Sequence, residues 1–235
     1  MQIKSVIVAA KRTPIGSFQG QLSSLSASDL ASHLIINIMR DLDIPADAVD
    51  EVILGNVLSA GQGQSPARQA AIKGGLPNTV ETLTINKMCG SGLKAIMLAD
   101  QAIKCNSAEI IIAGGMESMS NAPHILENFR TGNKLGHSKV IDSVIHDGLW
   151  DVYTNQHMGN CAEMLVKDRQ YSREDQDAYA VSSYRKASSA KKANIFKDEV
   201  IPIELEIKNE KILISDDEEP NRVDYDKTVS YTHLR

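Results

Sequence analysis

The 235-residue sequence offers little for cross-linking, with three cysteines, Cys89, Cys105 and Cys161, an odd number at wide and unpatterned spacing. That pattern argues against a disulfide framework or a zinc site and points to a reducing compartment. No apolar run is long enough to span a bilayer, and Met1 to Ala10 reads as a first β-strand, so a cytoplasmic protein is expected. A basic excess is also missing. The 25 Lys and Arg against 30 Asp and Glu leave a formal charge of −5, which gives no reason to expect nucleic acid or an anionic membrane as partner. A dinucleotide fingerprint fails at Gly61-Gln62-Gly63-Gln64-Ser65-Pro66, because Pro66 takes the place of the third glycine and no acidic partner is evident. What remains, at 42% hydrophobic and 23% charged residues, is an ordinary globular composition with enough length for one substantial core, or one core and a smaller appended unit.

Along the chain, strand-like and helix-like runs alternate, which implies an α/β sheet with helices on its faces. Ile3 to Ala10 is a β-rich run followed by the turn-rich Lys11 to Gly16, in which Arg12 reads as a solvated cation. Ser26 or Ser28 can cap a helix carrying Leu30, Leu34, Ile35, Ile38 and Met39 on one face. Val49 to Val57 is a strand candidate, Ser65 and Pro66 open a helix, and Glu109 to Ala113 is short and apolar enough for a buried central strand. From Asn121 to Lys139 periodicity is lost, and the segment reads as an excursion loop. Ser172 and Asp175 form a capping-box-like start to a helix that runs to about Ala193, with Lys and Arg toward solvent. Ile201, Ile203, Leu205 and Ile207 then alternate, and Lys211 to Ile214 can return as a hairpin ahead of a surface acidic run, Asp216 to Glu219.

The chemistry concentrates where the strand-like run Thr79 to Ile85 meets a helix-like run carrying Leu93, Ile96, Met97, Ala99 and Ile103. Cys89 falls just before that helix, where unpaired N–H groups and the positive dipole end favour an anion, so a thiolate nucleophile is plausible. Gly90 and Gly92 leave room for a substrate and its oxyanion to approach the backbone. Taken alone, a single cysteine in an apolar setting is more often a small core residue. The longer strings decide between the two. Lys87-Met88-Cys89-Gly90-Ser91-Gly92-Leu93-Lys94-Ala95 and Ala113-Gly114-Gly115-Met116-Glu117-Ser118-Met119-Ser120 resemble the acyl-accepting cysteine segment and the Gly-Gly-Met-Glu-Ser segment of thiolases, specifically acetyl-CoA C-acetyltransferases. Arg12-Thr13-Pro14-Ile15-Gly16 and Pro66-Ala67-Arg68-Gln69-Ala70 are similar to the same family, the latter to its subunit-interface segment.

The resemblance implies an α/β fold with a thiolase-like mixed sheet: a core over residues 1–120, an inserted loop domain over 121–229 that makes the oligomer contact and covers the CoA, and a second α/β half absent from this chain. It implies Cys89 as acyl acceptor. It also implies that Leu149, His157 and Met158, in Asp147-Gly148-Leu149 and His157-Met158-Gly159, line the pantetheine and acyl end of the CoA site; on residue type alone, His157 and Met158 would read as a capping and a packed side chain. Cys161 is a packing residue. The implied reaction joins two acetyl-CoA into acetoacetyl-CoA and CoA, or runs in reverse, with CoA thioesters as substrates, no cofactor and no metal, in a homodimer or homotetramer. A His and a second Cys that act as bases belong to the second half, so the chain is expected to be truncated and inactive alone, with residues 230–235 foreign to the fold. A non-catalytic CoA- or lipid-binding relative, a thiolase of longer chain preference and a cysteine hydrolase are the competing readings.

Overall fold

The computed structural model describes residues 3–207 and 209–223; the expected foreign tail, 230–235, lies outside the described residues. Helix α1, Ala27–Leu42, begins at the Ser26 cap, whose hydroxyl accepts the Asp29 N–H at 3.2 Å while the Asp29 carboxylate accepts the Ser26 N–H at 3.1 Å. Strand β1, Glu51–Gly55, is followed by helix α2, Pro66–Lys73, and strand β2, Glu81–Ile85. Helix α3, Ser91–Lys104, and strand β3, Ile111–Gly115, complete the core. The three strands form a parallel sheet in the order β2-β1-β3, with Ile53 beside Leu83 and Ala113.

The two-residue period of a strand explains the layering. Val52 and Leu54 face one side, where they pack with Ala27, Ala31 and Ile35 of α1 and Ala67, Ala70 and Ala71 of α2. Ile53 faces the other side and packs on Ala95 and Ala99 of α3. The small residues let the helices approach the strands closely, and the opposite face of α3 leaves Leu93, Ile96 and Met97 exposed.

Several expectations from sequence change here. Ile3 to Ala10 is no strand among the described residues, and Val6, Ile7 and Val8 are exposed. Strand propensity needs a neighbour to take up the backbone hydrogen bonds, and among the described residues this run has none. The third strand sits beside β1 rather than centrally and starts two residues later than expected. The Asp50 carboxylate accepts the Glu109 and Ile110 N–H groups at 2.6 and 2.9 Å, so these two amides bond to a side chain. Ser65 makes no side-chain cap; instead the Thr84 hydroxyl of β2 accepts the Ala67 N–H at 3.0 Å. The excursion after Asn121 is partly ordered by pairing, with β4, His124–Leu126, antiparallel to β5, Val140–Asp142.

A π-helical turn, Val144–Leu149, leads into the short antiparallel pair β6, Trp150–Asp151, and β7, Gln156–His157. Helices α4, Met158–Arg169, and α5, Arg173–Lys192, follow; the α5 start is a complete capping box of Ser172 and Asp175. The hairpin of β8, Ile203–Ile207, and β9, Glu210–Ile214, returns to the beginning of the chain, where Ile203, Leu205 and Ile214 pack on Leu22. Arg12 is therefore not a solvated cation. Its guanidinium donates to Glu199 at 2.7 Å and to both Asp217 oxygens at 2.7 and 3.0 Å, with Phe196 beneath it. Nor is the acidic run only a solvated surface, since Asp217 accepts the Ile15 N–H and Glu218 accepts those of Ser17 and Gln21.

Candidate functional site

Cys89 sits in the turn between β2 and α3, one residue before the helix N-cap, Gly90. The turn is tight because Met88 adopts φ +50°, a left-handed conformation that costs a side chain with a Cβ about 1 kcal/mol. Local hydrogen bonds hold it there. The Asn86 side chain accepts the Met88 N–H at 2.9 Å, and Gly90 N–H donates to Lys87 O at 3.2 Å. The Ser91 hydroxyl accepts the Lys87 N–H at 2.8 Å and donates to Met88 O at 2.6 Å. Ser91 is only 4% exposed, so this staple is shielded from water, whereas Cys89 itself is exposed.

Three glycines allow the start of α3 to lie on the ends of the strands. A Cβ on Gly55 would come within 2.5 Å of the Ser91 Cβ, and one on Gly115 within 3.3 Å of the Gly92 Cα. The Cys89 corner is thereby seated at the carboxyl ends of β1 and β3, the end of a parallel sheet where ligands are bound.

Cys89 opens onto a cavity of about 390 Å³. Its walls include Val57 and Leu58 after β1, Met116 and Glu117 after β3, and Val144 and Leu149 of the π-helical turn. The structure thus brings Cys89 and Leu149 into one cavity. His157 and Met158 are not part of its lining. His157 caps α4, its Nδ1 accepting the Gly159 N–H at 2.9 Å, and Met158 is half exposed on the first turn. They connect to the cavity through pairing, since His157 lies opposite Trp150, the neighbour of Leu149.

Sequence reasoning missed Asn56 and Glu117 as members of the site. Asn56 is buried just past β1, and its side-chain amide donates to Glu117 Oε1 at 2.8 Å and Met116 O at 3.3 Å. The Glu117 carboxylate also accepts the N–H groups of Val57 and Leu58, at 2.9 and 3.2 Å. Burial pushes the Glu117 carboxyl above its ordinary value, and the two amides oppose this without cancelling it. The signal available in sequence was the acidic residue inside the Gly-Gly-Met-Glu-Ser string, but the string says nothing of its partners. Among the described residues, no group of three His, Cys, Asp or Glu side chains is placed to hold a metal ion, and no helix is long and apolar enough to cross a membrane.

Comparison with known proteins agrees with this fold. The family model described as thiolase, N-terminal domain, matches residues 5–232. A probable acetyl-CoA acetyltransferase of Escherichia coli K12 is 53% identical over 215 residues, covering 92% of this chain and 55% of the relative. An acetyl-CoA acetyltransferase of Yarrowia lipolytica is 48% identical over 221 residues, covering 94% of this chain and 55% of the relative. A crystal structure of a thiolase from Ascaris suum in complex with coenzyme A superposes with a TM-score of 0.89 at 40% identity, covering 98% of this chain and 58% of that one. The chain spans about half the length of the curated relatives it matches.

Proposed function

The chain belongs to the thiolase family, and from that premise we propose that Cys89 is the acyl-accepting nucleophile of an acetyl-CoA C-acetyltransferase. The observation that carries this reading is the position of Cys89: exposed, at a stapled strand-to-helix turn, in one cavity with Leu149. In the first step the Cys89 thiolate attacks the thioester carbonyl of acetyl-CoA. The C–S bond to CoA breaks, CoA leaves as its thiolate, and an acetyl-enzyme remains. The helix N-terminus and glycine-rich backbone beside Cys89 supply partial positive charge where the oxyanion develops. Leu149 and its neighbours keep water from the thioester, while His157 and Met158 contact the pantetheine arm outside the cavity.

In the second step the methyl carbon of another acetyl-CoA loses a proton and attacks the acetyl group, forming acetoacetyl-CoA and freeing Cys89. The family resemblance places the His and Cys that move this proton in a second half, so the chain alone is proposed to accept an acetyl group without turning over. The division into a core, 1–120, and a loop domain, 121–229, belongs to the same reading, as do a dimer or tetramer and the absence of any cofactor. CoA thioesters are the substrates. Polar backbone and helix ends, rather than a metal, carry the developing charge.

The test uses a chimaera in which the E. coli relative supplies the part that this chain does not cover. Incubated with acetyl-CoA and labelled CoA, it should exchange CoA and form acetoacetyl-CoA. Release of acetate without exchange would identify a cysteine hydrolase instead, and binding without either would identify a non-catalytic CoA-binding relative.

A further inference from the structure

Among the described residues, the Glu117 carboxylate is the one ionisable group, besides Cys89, in the lining of the Cys89 cavity. It is half-buried in largely apolar surroundings, and burial disfavours its charge. A carboxylate at such a place calls for a reason, and its hydrogen bonds provide one. The ladder of β1 ends where Asn56 N–H donates to Ile85 O and Met116 N–H donates to Gly55 O. Beyond that point the Val57 and Leu58 N–H groups turn to Glu117, joined by the Asn56 amide, so three donors converge on one carboxylate. From the other side Gln62 Nε2 donates to Asn56 Oδ1 at 3.2 Å and Leu58 O at 2.6 Å.

The segment held between these two anchors is the cavity wall, residues 56–58. The wall also meets the opposite side. A Cβ on Gly148 would stand 3.5 Å from Leu58 Cδ2, so the π-helical turn that carries Leu149 rests against it. A small rotation of the wall would therefore move both apolar surfaces that flank an acyl group on Cys89.

We infer that Glu117 is a positioning residue for acyl transfer: its carboxylate fixes the wall at residues 56–58 so that the incoming thioester is held against Cys89. The inference rests on the reading of Cys89 as acyl acceptor. A carboxylate suits the task because each oxygen accepts from the amides it faces. A neutral amide in the same place offers one oxygen acceptor and turns an NH2 group toward backbone donors.

Glu117→Gln in the chimaera separates positioning from general damage when two reactions at Cys89 are followed by mass spectrometry. Acetylation by acetyl-CoA requires the thioester to be oriented, whereas alkylation by iodoacetamide reads only the thiol and its access. Glu117→Gln should slow acetylation about 10- to 100-fold, the scale of a misplacement near 1 Å, and change alkylation by no more than about twofold. Gln62→Ala, which loosens the other anchor without touching the carboxylate, should slow acetylation about threefold and serves if Glu117→Gln does not fold. Acetylation at the parent rate in either folded variant, or equal losses in both reactions, overturns the inference. If the parent chimaera takes no acetyl group on Cys89, the reading on which the inference rests falls, and the inference with it.

Discussion

Ser91→Ala removes a single oxygen from the base of the Cys89 turn and should unlock it. The hydroxyl is shielded and makes two hydrogen bonds, accepting from Lys87 N–H and donating to Met88 O. Losing the first leaves the Lys87 N–H without its side-chain acceptor at a partly buried place, a cost of about 1–2 kcal/mol. Losing the second costs less, about 0.5 kcal/mol, because Met88 O still accepts the Ser91 N–H at 3.0 Å. The sum is about 2 kcal/mol. For a protein of this size that lowers the melting temperature by roughly 4–8 °C. It also removes two of the hydrogen bonds that hold Met88 in its left-handed conformation and leaves those of Asn86 and Gly90, so the turn loosens and Cys89 leaves its seat for part of the time. Acetylation of Cys89 in the chimaera should then fall about tenfold, because about 1.4 kcal/mol of such a preference is one factor of ten. Differential scanning calorimetry and timed acid quenching with mass spectrometry give the two quantities. An unchanged melting temperature together with the parent acetylation rate would show that the staple holds nothing.

Four further outcomes follow from the same geometry. Gly55→Ala should destabilise by about 1–3 kcal/mol or more, since its Cβ would meet Ser91 at 2.5 Å with backbone beside it; a melting temperature equal to the parent's would contradict that packing. Met158→Ala should raise the KM for acetyl-CoA more than it lowers stability, and a lower melting temperature with unchanged KM would return Met158 to a packing role. Burial pushes the Asp217 carboxyl up, but the Arg12 hydrogen bonds and charge and the Ile15 N–H outweigh it and leave its pKa lowered. Its contribution to stability is therefore present above about pH 4 and lost as pH falls through the lower folded value, so Asp217→Asn should flatten the acid side of the stability curve, and an unchanged curve would count against the clamp. Finally, the chain on its own should associate or aggregate through Val6, Ile7, Val8 and the Leu93, Ile96 and Met97 face of α3; a monodisperse monomer on size-exclusion chromatography would refute this.

Much of the core was legible because its signals are local. Ser26, one of two candidate caps, and the Ser172–Asp175 box mark helix starts by chemistry that needs only neighbouring residues, and the run Val49 to Val57 marks a strand candidate without knowledge of what covers it. The corner at Cys89 was legible for the same reason. What escaped depends on contacts distant in sequence. Arg12 looks solvated until the hairpin brings Asp217 to it, and Ile3 to Ala10 looks like a strand until the absence of a pairing neighbour in the described residues is seen. Glu117 was visible as part of a string, yet its three donors come from residues about 60 positions earlier, where sequence shows only an asparagine and two apolar residues. His157 and Met158 were singled out through resemblance, and the geometry puts them beside the cavity rather than in its wall.

The most direct measurement of the central claim is the location of the acetyl group. The chimaera is mixed with acetoacetyl-CoA, quenched in acid within the first turnover, digested and read by peptide mass spectrometry, alongside Cys89→Ser. The acetyl group is expected on the peptide carrying Cys89 and on no other cysteine, and it should be absent in Cys89→Ser while the melting temperature holds. An acetyl group on Cys105 or Cys161, or turnover that survives Cys89→Ser, would contradict the account.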